Sequence, residues 1–276
     1  MDVKKMLAVG TAIVGTVAMA DIVSSSVVGY MGNDANASGY TMLAPTFLSV
    51  NSETGCTLAD LTVTGYDAPT WNEVDEEFEG GCSGGDFILN FLTSSGTYES
   101  RYYWIDDGET GPGWYASAGG AAISGGASSV AIPVGQGAWI LGRGMTLQCA
   151  GQVNSSDVAK KTSSAGYTAV GNSMPINLTL GRLTVTGYDP ATWNEVDEEF
   201  EGGCSGGDFI LNFLTSSGSY QARYYWIDDG ETGPGWYASA GGAAISGGAT
   251  SVEFNAGKGA WVLGRGMYLN IPAPEL

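Results

Sequence analysis

Histidine is absent from this 276-residue chain. That removes the commonest general base and the commonest zinc ligand together. Hydrolysis by Ser-His-Asp, Cys-His or zinc-histidine chemistry is excluded unless a partner lends the imidazole, leaving carboxylate, tyrosine or bound-metal mechanisms open. Positive charge is also scarce, with 10 Lys+Arg against 29 Asp+Glu and a formal net charge of −19. Past residue 20 the lysines are Lys160, Lys161 and Lys258. Phosphate neutralisation needs clustered Lys and Arg, so nucleic acid is excluded as a partner. Long apolar runs are missing as well: beyond the N-terminus no segment is apolar enough to span a bilayer. Sustained helical periodicity is lacking too, and WNEVDEEFE offers at most a short turn or two.

What is present begins with an export signature. Lys4 and Lys5 precede the apolar LAVGTAIVGTVAMA, which ends in the small-x-small site Ala18-Met19-Ala20. Residues 1–20 therefore read as a cleaved signal peptide, the mature chain starting at Asp21 with a net charge near −20. The expected location is outside the cytoplasm, secreted or at the cell surface or periplasm.

The chain then repeats itself. Residues 61–148 recur at 183–270, shifted by about 122 positions with roughly five residues in six unchanged. A unit of about 120 residues is domain-sized rather than a solenoid turn. The division predicted is a first module over 21–149 and a second over 150–276, with the polar junction GQVNSSDVAKKTSS short enough that the two should touch. Each copy carries eight or nine short extended runs bounded by Gly, Asn, Asp or Ser, and 44 glycines favour tight turns over long helices. The fold class predicted is all-β: two tandem, near-identical β-sandwich or barrel modules.

Four cysteines in an exported chain read as disulfides. Cys82 and Cys204 are equivalent in the two copies, whereas Cys56 and Cys149 have no counterpart. The preferred pairing is Cys56–Cys82 with Cys149–Cys204, and the rival is a bridge between Cys82 and Cys204. GCSGGD, at Gly81 to Asp86 and Gly203 to Asp208, superficially resembles a serine-protease motif but lacks a base for the hydroxyl proton.

WNEVDEEFEGG and the acid behind it supply candidate Ca²⁺ ligands, Asp75, Glu77 and Asp86, with Asp197, Glu199 and Asp208 in the second copy. Their spacing fits no EF-hand, and a solvated acidic loop explains them as well. WIDDGETG contains the D-x-G-x-T core of an Asp-box turn at Asp106, Gly108 and Thr110, and again at Asp228, Gly230 and Thr232. Such turns are structural. Asp107 and Glu109 could in principle serve glycoside hydrolysis, although adjacent turn acids usually face solvent. Aromatics recur at Trp71, Trp104, Trp114 and Trp139 and their counterparts. Alternation puts Tyr102 and Trp104 on one strand face and Tyr103 on the other. Trp104, Trp114 and Tyr103, with Trp226, Trp236 and Tyr225, are the candidate ligand-binding residues, either an exposed platform or core filling.

DIVSSSVVGYMG, the junction AGQVNSSDVAKKTSSAGYTAVGNSMPINLTLGRLTV, GWYASAG, and the closing GQGAWILGRG or GKGAWVLGRG together make a pattern. In it the chain resembles a group of uncharacterised exported proteins of planctomycete–verrucomicrobia bacteria. The resemblance implies export, a two-repeat β architecture and abundance at the cell exterior. It carries over no functional residue.

The function expected is that of a non-enzymatic exported structural or surface protein of the cell envelope or extracellular matrix, needing no cofactor. The alternative is a lectin-like carbohydrate-binding protein using Trp, Tyr and acidic loops, with Ca²⁺ as a candidate helper. Extracellular glycans or further copies of the chain are the partners these readings imply.

Overall fold

The structure, a computed structural model, describes residues 28–50, 52 and 54–274. The predicted signal peptide and the cut before Asp21 lie outside the described residues. The fold is all-β: antiparallel sheets throughout, and no α-helix among the described residues. The helical turns among the described residues are four three-residue 3-10 segments.

The first copy contains β1 (Val28–Asp34), β2 (Tyr40–Leu43), β3 (Gly55–Thr57), β4 (Leu61–Thr64), β5 (Thr70–Asn72) and β6 (Glu77–Glu79). It continues through β7 (Cys82–Leu92), β8 (Tyr98–Asp106), β9 (Gly113–Tyr115), β10 (Ala131–Pro133), β11 (Ala138–Leu141) and β12 (Thr146–Gln152). A five-stranded sheet runs β2-β11-β7-β8-β9, a three-stranded one β1-β12-β4, and β10-β3 and β5-β6 form two-stranded ribbons. The second copy holds β13 (Val158–Lys161), β14 (Tyr167–Gly171), β15 (Leu178–Thr179), β16 (Thr184–Thr186), β17 (Thr192–Asn194) and β18 (Glu199–Glu201). Then come β19 (Cys204–Leu214), β20 (Tyr220–Asp228), β21 (Gly235–Tyr237), β22 (Glu253–Phe254), β23 (Gly259–Leu263) and β24 (Tyr268–Ile271). Its sheet orders, β14-β23-β19-β20-β21 and β13-β24-β16, repeat those of the first.

One apolar core lies between the five- and three-stranded sheets of each copy. In the first it joins Leu43, Phe87, Leu89 and Ile140 of the larger sheet to Leu61, Val63 and Leu147 of the smaller. Phe209, Leu211 and Val262 meet Val185 and Leu269 in the second. Burying a phenylalanine as completely as Phe87 or Phe209 contributes on the order of 2–3 kcal/mol.

Three features differ from the sequence expectation. The GCSGGD segment lies within a strand: β7 starts at Cys82, which pairs with Asp106, and the register then shifts before Phe87 pairs with Trp104. The shift works because Gly84 leaves no room for a Cβ against the backbone of Ala118. WNEVDEEFE is a β-hairpin rather than a helical turn. The predicted boundary between residues 149 and 150 falls inside β12, whose pairing with β1 runs on to Gln152. Residues 153–157 alone connect β12 to β13, and Val153 and Asn154 among them are buried.

The two copies meet through reciprocal contacts. Tyr40 donates its N–H to Ser216 O at 2.8 Å, and the equivalent Tyr167 donates to Ser94 O at 2.7 Å. Edge strand β2 bridges to Lys258 through Leu43, and β14 bridges to Gln136 through Val170. Each copy thereby covers the other's open sheet edge. Met42, Trp139, Ala169 and Trp261 form a small core at the seam. Tyr40 stacks on Trp139 and Tyr167 on Trp261, with ring centroids 5.2 and 5.5 Å apart.

Candidate functional site

Of the two readings of the recurrent tryptophans, exposed platform or core filling, the structure shows core filling. Trp104, Trp114, Trp226 and Trp236 are each 6–7% exposed, so these indoles have no free face for a ligand. Trp104 and Trp114 pack edge-to-face at 5.4 Å, Trp226 and Trp236 at 5.5 Å. Their polar edges are satisfied internally. Trp114 Nε1 donates to Leu61 O and Trp236 Nε1 to Leu183 O, both at 2.8 Å. Trp104 Nε1 donates to the Tyr66 hydroxyl at 3.0 Å, which in turn donates to Asp106 at 3.0 Å. Burial pushes the Tyr188 phenol, its counterpart in the second copy, up to about 12, with the Asp228 carboxylate adding to the effect. Tyr103 and Tyr225, on the other strand face, are half-buried.

Besides Tyr30, Tyr98 and Tyr220, the exposed aromatics among the described residues lie on the β5–β6 hairpin and its copy. Trp71 pairs with Phe78 directly across the ribbon, rings 5.1 Å apart and 69° inclined, and Trp193 pairs likewise with Phe200. Trp71 is 52% exposed, and Val74 at the tip is 88% exposed. Local chemistry dictates the shape. Asn72 Oδ1 accepts the N–H groups of Val74 at 2.8 Å and Asp75 at 3.3 Å, closing an Asx turn. Asn72 Nδ2 donates to the carboxylates of Asp75 and Glu79. Glu76 takes the left-handed conformation at φ 56°, which turns the chain back. Below the ribbon, Phe78 lies against Gly108, whose φ of +87° and missing Cβ make room for the ring. Glu73, Asp75, Glu76, Glu77 and Glu79 ring the pair with no Lys or Arg in the hairpin. The result is an apolar aromatic edge framed in negative charge, present twice.

The structure does not gather the candidate calcium ligands. Asp86 accepts from the Ser83 N–H and hydroxyl, and it meets the Arg143 guanidinium at 3.4 Å. Asp208 has the same partners in Ser205 and Arg265. Asp75 and Asp197 instead belong to the Asx turns of the hairpins, held by Asn72 and Asn194. Glu77 and Glu199 are exposed on the same hairpins. Among the described residues no three His, Cys, Asp or Glu side chains converge on one point. The Asp-box-like segment is a turn, as read: Asp107 Oδ1 accepts the Thr110 N–H at 2.7 Å and the Glu109 N–H at 3.2 Å. Asp107 is thus a capping group.

No pair of cysteines lies at disulfide distance. All four are buried thiols, which corrects the pairing Cys56–Cys82 with Cys149–Cys204. Cys82 and Cys204 sit in separate cores, so they cannot bridge either. Cys82 lies 3.8 Å from Met145 Sδ and Cys204 3.9 Å from Met267 Sδ. Burial pushes both thiols up to about 12.

A groove of about 560 Å³ runs along the seam between Asn36 and Thr41 of the first copy and Gln221, Glu253 and Lys258 of the second. Lys258 Nζ donates to Asp34 O at 3.2 Å, and burial pulls its ammonium below the usual range. Glu253 and Lys258 replace Ala131 and Gln136 of the first copy, so the charged lining of this groove is not duplicated.

Trp71 and Phe78 were within reach of sequence reasoning. They bracket N-E-V-D-E-E symmetrically, the pattern of a hairpin with its apolar pair at the base of the turn. No protein-family model, curated protein or solved structure matches the chain. Among the described residues no helix is long and apolar enough to cross a membrane.

Proposed function

We propose that the protein is a non-enzymatic surface component of the cell exterior that makes its contacts through two identical hairpins. The observation that supports this is the pair Trp71–Phe78 and Trp193–Phe200, solvent-exposed in both copies and carried on the same sheet framework. Exposed aromatic groups of this size bind rather than stabilise, because their burial is not completed within the chain. Two such hairpins make the protein bivalent, and a second contact on one surface forms at high effective concentration. Export, read from the N-terminal sequence, places those contacts outside the cytoplasm.

A second reading makes the ligand a carbohydrate. What favours it is the half-exposed indole of Trp71 beside carboxylates of the same hairpin. A sugar needs an apolar surface for its C–H face and acceptors for its hydroxyls.

Retention of the protein on immobilised polysaccharides, neutral and cationic, tests both readings. Replacing Trp71→Ala and Trp193→Ala together should reduce retention at least tenfold and leave the melting temperature nearly unchanged. Either single variant should fall between, as bivalence requires. Retention of the double variant equal to the parent would reject the hairpins as the contact. Retention on a protein envelope fraction but on no polysaccharide would reject carbohydrate alone.

A further inference from the structure

The seam groove concentrates the differences between the two copies. Of the thirteen described second-copy residues that line it, five differ from their counterparts, against about one in six over the repeat as a whole. Gln221 stands for Glu99, Ala222 for Ser100, Glu253 for Ala131, Asn255 for Pro133 and Lys258 for Gln136. The framework beneath them is shared, since β19, β20 and β23 repeat the pairing of β7, β8 and β11. The exchanges therefore alter what the groove presents and leave its walls in place.

Together they remove one acid and introduce one carboxylate and one ammonium, so Glu253 and Lys258 are the charged residues of the lining and cancel each other. No ion pair joins them, and neither has an ion-pair partner among the described residues. Lys258 is fixed at the seam. Its backbone bridges to Leu43 and its Nζ donates to Asp34 O at 3.2 Å, leaving two of its three donors. The Asp34 carboxylate, engaged by Thr146 Oγ1 at 2.6 Å, acts on it only from a distance. Glu253 is exposed on β22, and its carboxylate accepts no hydrogen bond from the described residues. A half-buried ammonium without a counterion costs free energy that a bound carboxylate would recover. A ligand with one charge of each sign is neutral overall, so the net charge of −19 does not repel it as it would an anion.

We propose that this groove binds a short peptide in its zwitterionic form, the carboxylate on Lys258 and the ammonium facing Glu253. The side-chain amides of Gln221 and Asn255, each both donor and acceptor, match the intervening peptide groups. Met42, Phe213 and Val252 supply apolar lining for the side chains. A volume of about 560 Å³ accommodates a peptide of about two to four residues. The equivalent position in the first copy has Ala131 in place of the carboxylate, and Lys160 there donates to Gln136 Oε1 at 2.9 Å. The site is therefore single, and it lies apart from the paired hairpins.

Calorimetric titration of the full chain with di-, tri- and tetra-alanine tests the assignment. At least one of these peptides should bind, at one site per chain. Acetylating its amino end or amidating its carboxyl end should each weaken binding about tenfold or more, a comparison made on the unaltered protein. The variant Glu253→Ala/Lys258→Gln, which copies the first groove, should melt close to the parent and lose binding. Trp71→Ala/Trp193→Ala should bind the peptide as the parent does, so the groove and the hairpins stand or fall separately. Binding of none of the three peptides, equal binding of free and blocked forms, or two sites per chain would overturn the assignment. So would undiminished binding by the groove variant, loss of binding in the hairpin variant, or a uronic acid disaccharide held more tightly than any peptide.

Discussion

Asp60 is where the first copy departs most clearly from the second, which has Arg182 at the equivalent position. Its carboxylate accepts from Ser49 Oγ, from the Thr57 N–H at 2.7 Å and from Thr57 Oγ1 at 2.8 Å, clamping the loop that leads into β3. Burial alone would raise its pKa, but these three donors outweigh it and hold the carboxyl below the usual carboxylate value. A carboxylate depressed in the folded state stabilises fully above its unfolded pKa, and that contribution disappears as pH falls through the folded value. Asp60→Asn should therefore cost about 1 kcal/mol at neutral pH, solvent screening included, and flatten the acid limb of the stability profile below about pH 4. Urea titrations of parent and variant from pH 7 to pH 3 measure both effects. An unchanged acid limb would show that the clamp contributes nothing.

Among the elements, the hairpin tips at Ser94 and Ser216 show how backbone conformation fixes the seam. Gly39 and Gly166 adopt φ of +72° and +78°, and a Cβ on either would strike the carbonyl oxygen of the loop it receives. Gly144 also has a positive φ, +87°, but a Cβ there would meet Ala37 at an ordinary 3.7 Å. Gly166→Ala should thus cost more than Gly144→Ala, about 2–3 against about 1 kcal/mol, because only the former adds a seam clash to the backbone penalty. Thermal melts of the two variants give the comparison, and equal losses would remove the seam contact from the account. The all-β class was legible because short β-branched and aromatic runs between glycines have no other regular structure open to them. The Trp71–Phe78 hairpin was less legible, since its carboxylates draw attention to metal binding before strand pairing. For Trp104 the sequence left two readings open, exposed platform or core filling. Alternation assigns it a face, but consecutive Trp104 and Ile105 are both buried, and only the sheet packed opposite decides which face meets water. Likewise Cys56 and Cys149 enter one core from strands of different sheets, a convergence that spacing along the chain does not encode.

Across the whole molecule, the seam core of Met42, Trp139, Ala169 and Trp261 belongs to neither copy alone. Unfolding either copy exposes apolar surface on the other and uncovers a sheet edge. Calorimetry should accordingly give one transition with equal van't Hoff and calorimetric enthalpies, despite the duplicated sequence. Two resolved transitions would mean that the seam couples the copies too weakly to matter. The reciprocal hydrogen bonds of Tyr40 with Ser216 and Tyr167 with Ser94 have one more implication. Each half offers one hook and one eye, and two halves consume all of them. Assembly by this contact is self-limiting: it saturates at a pair, whether the halves share a chain or come from different ones, and it leaves no end from which a fibre could grow.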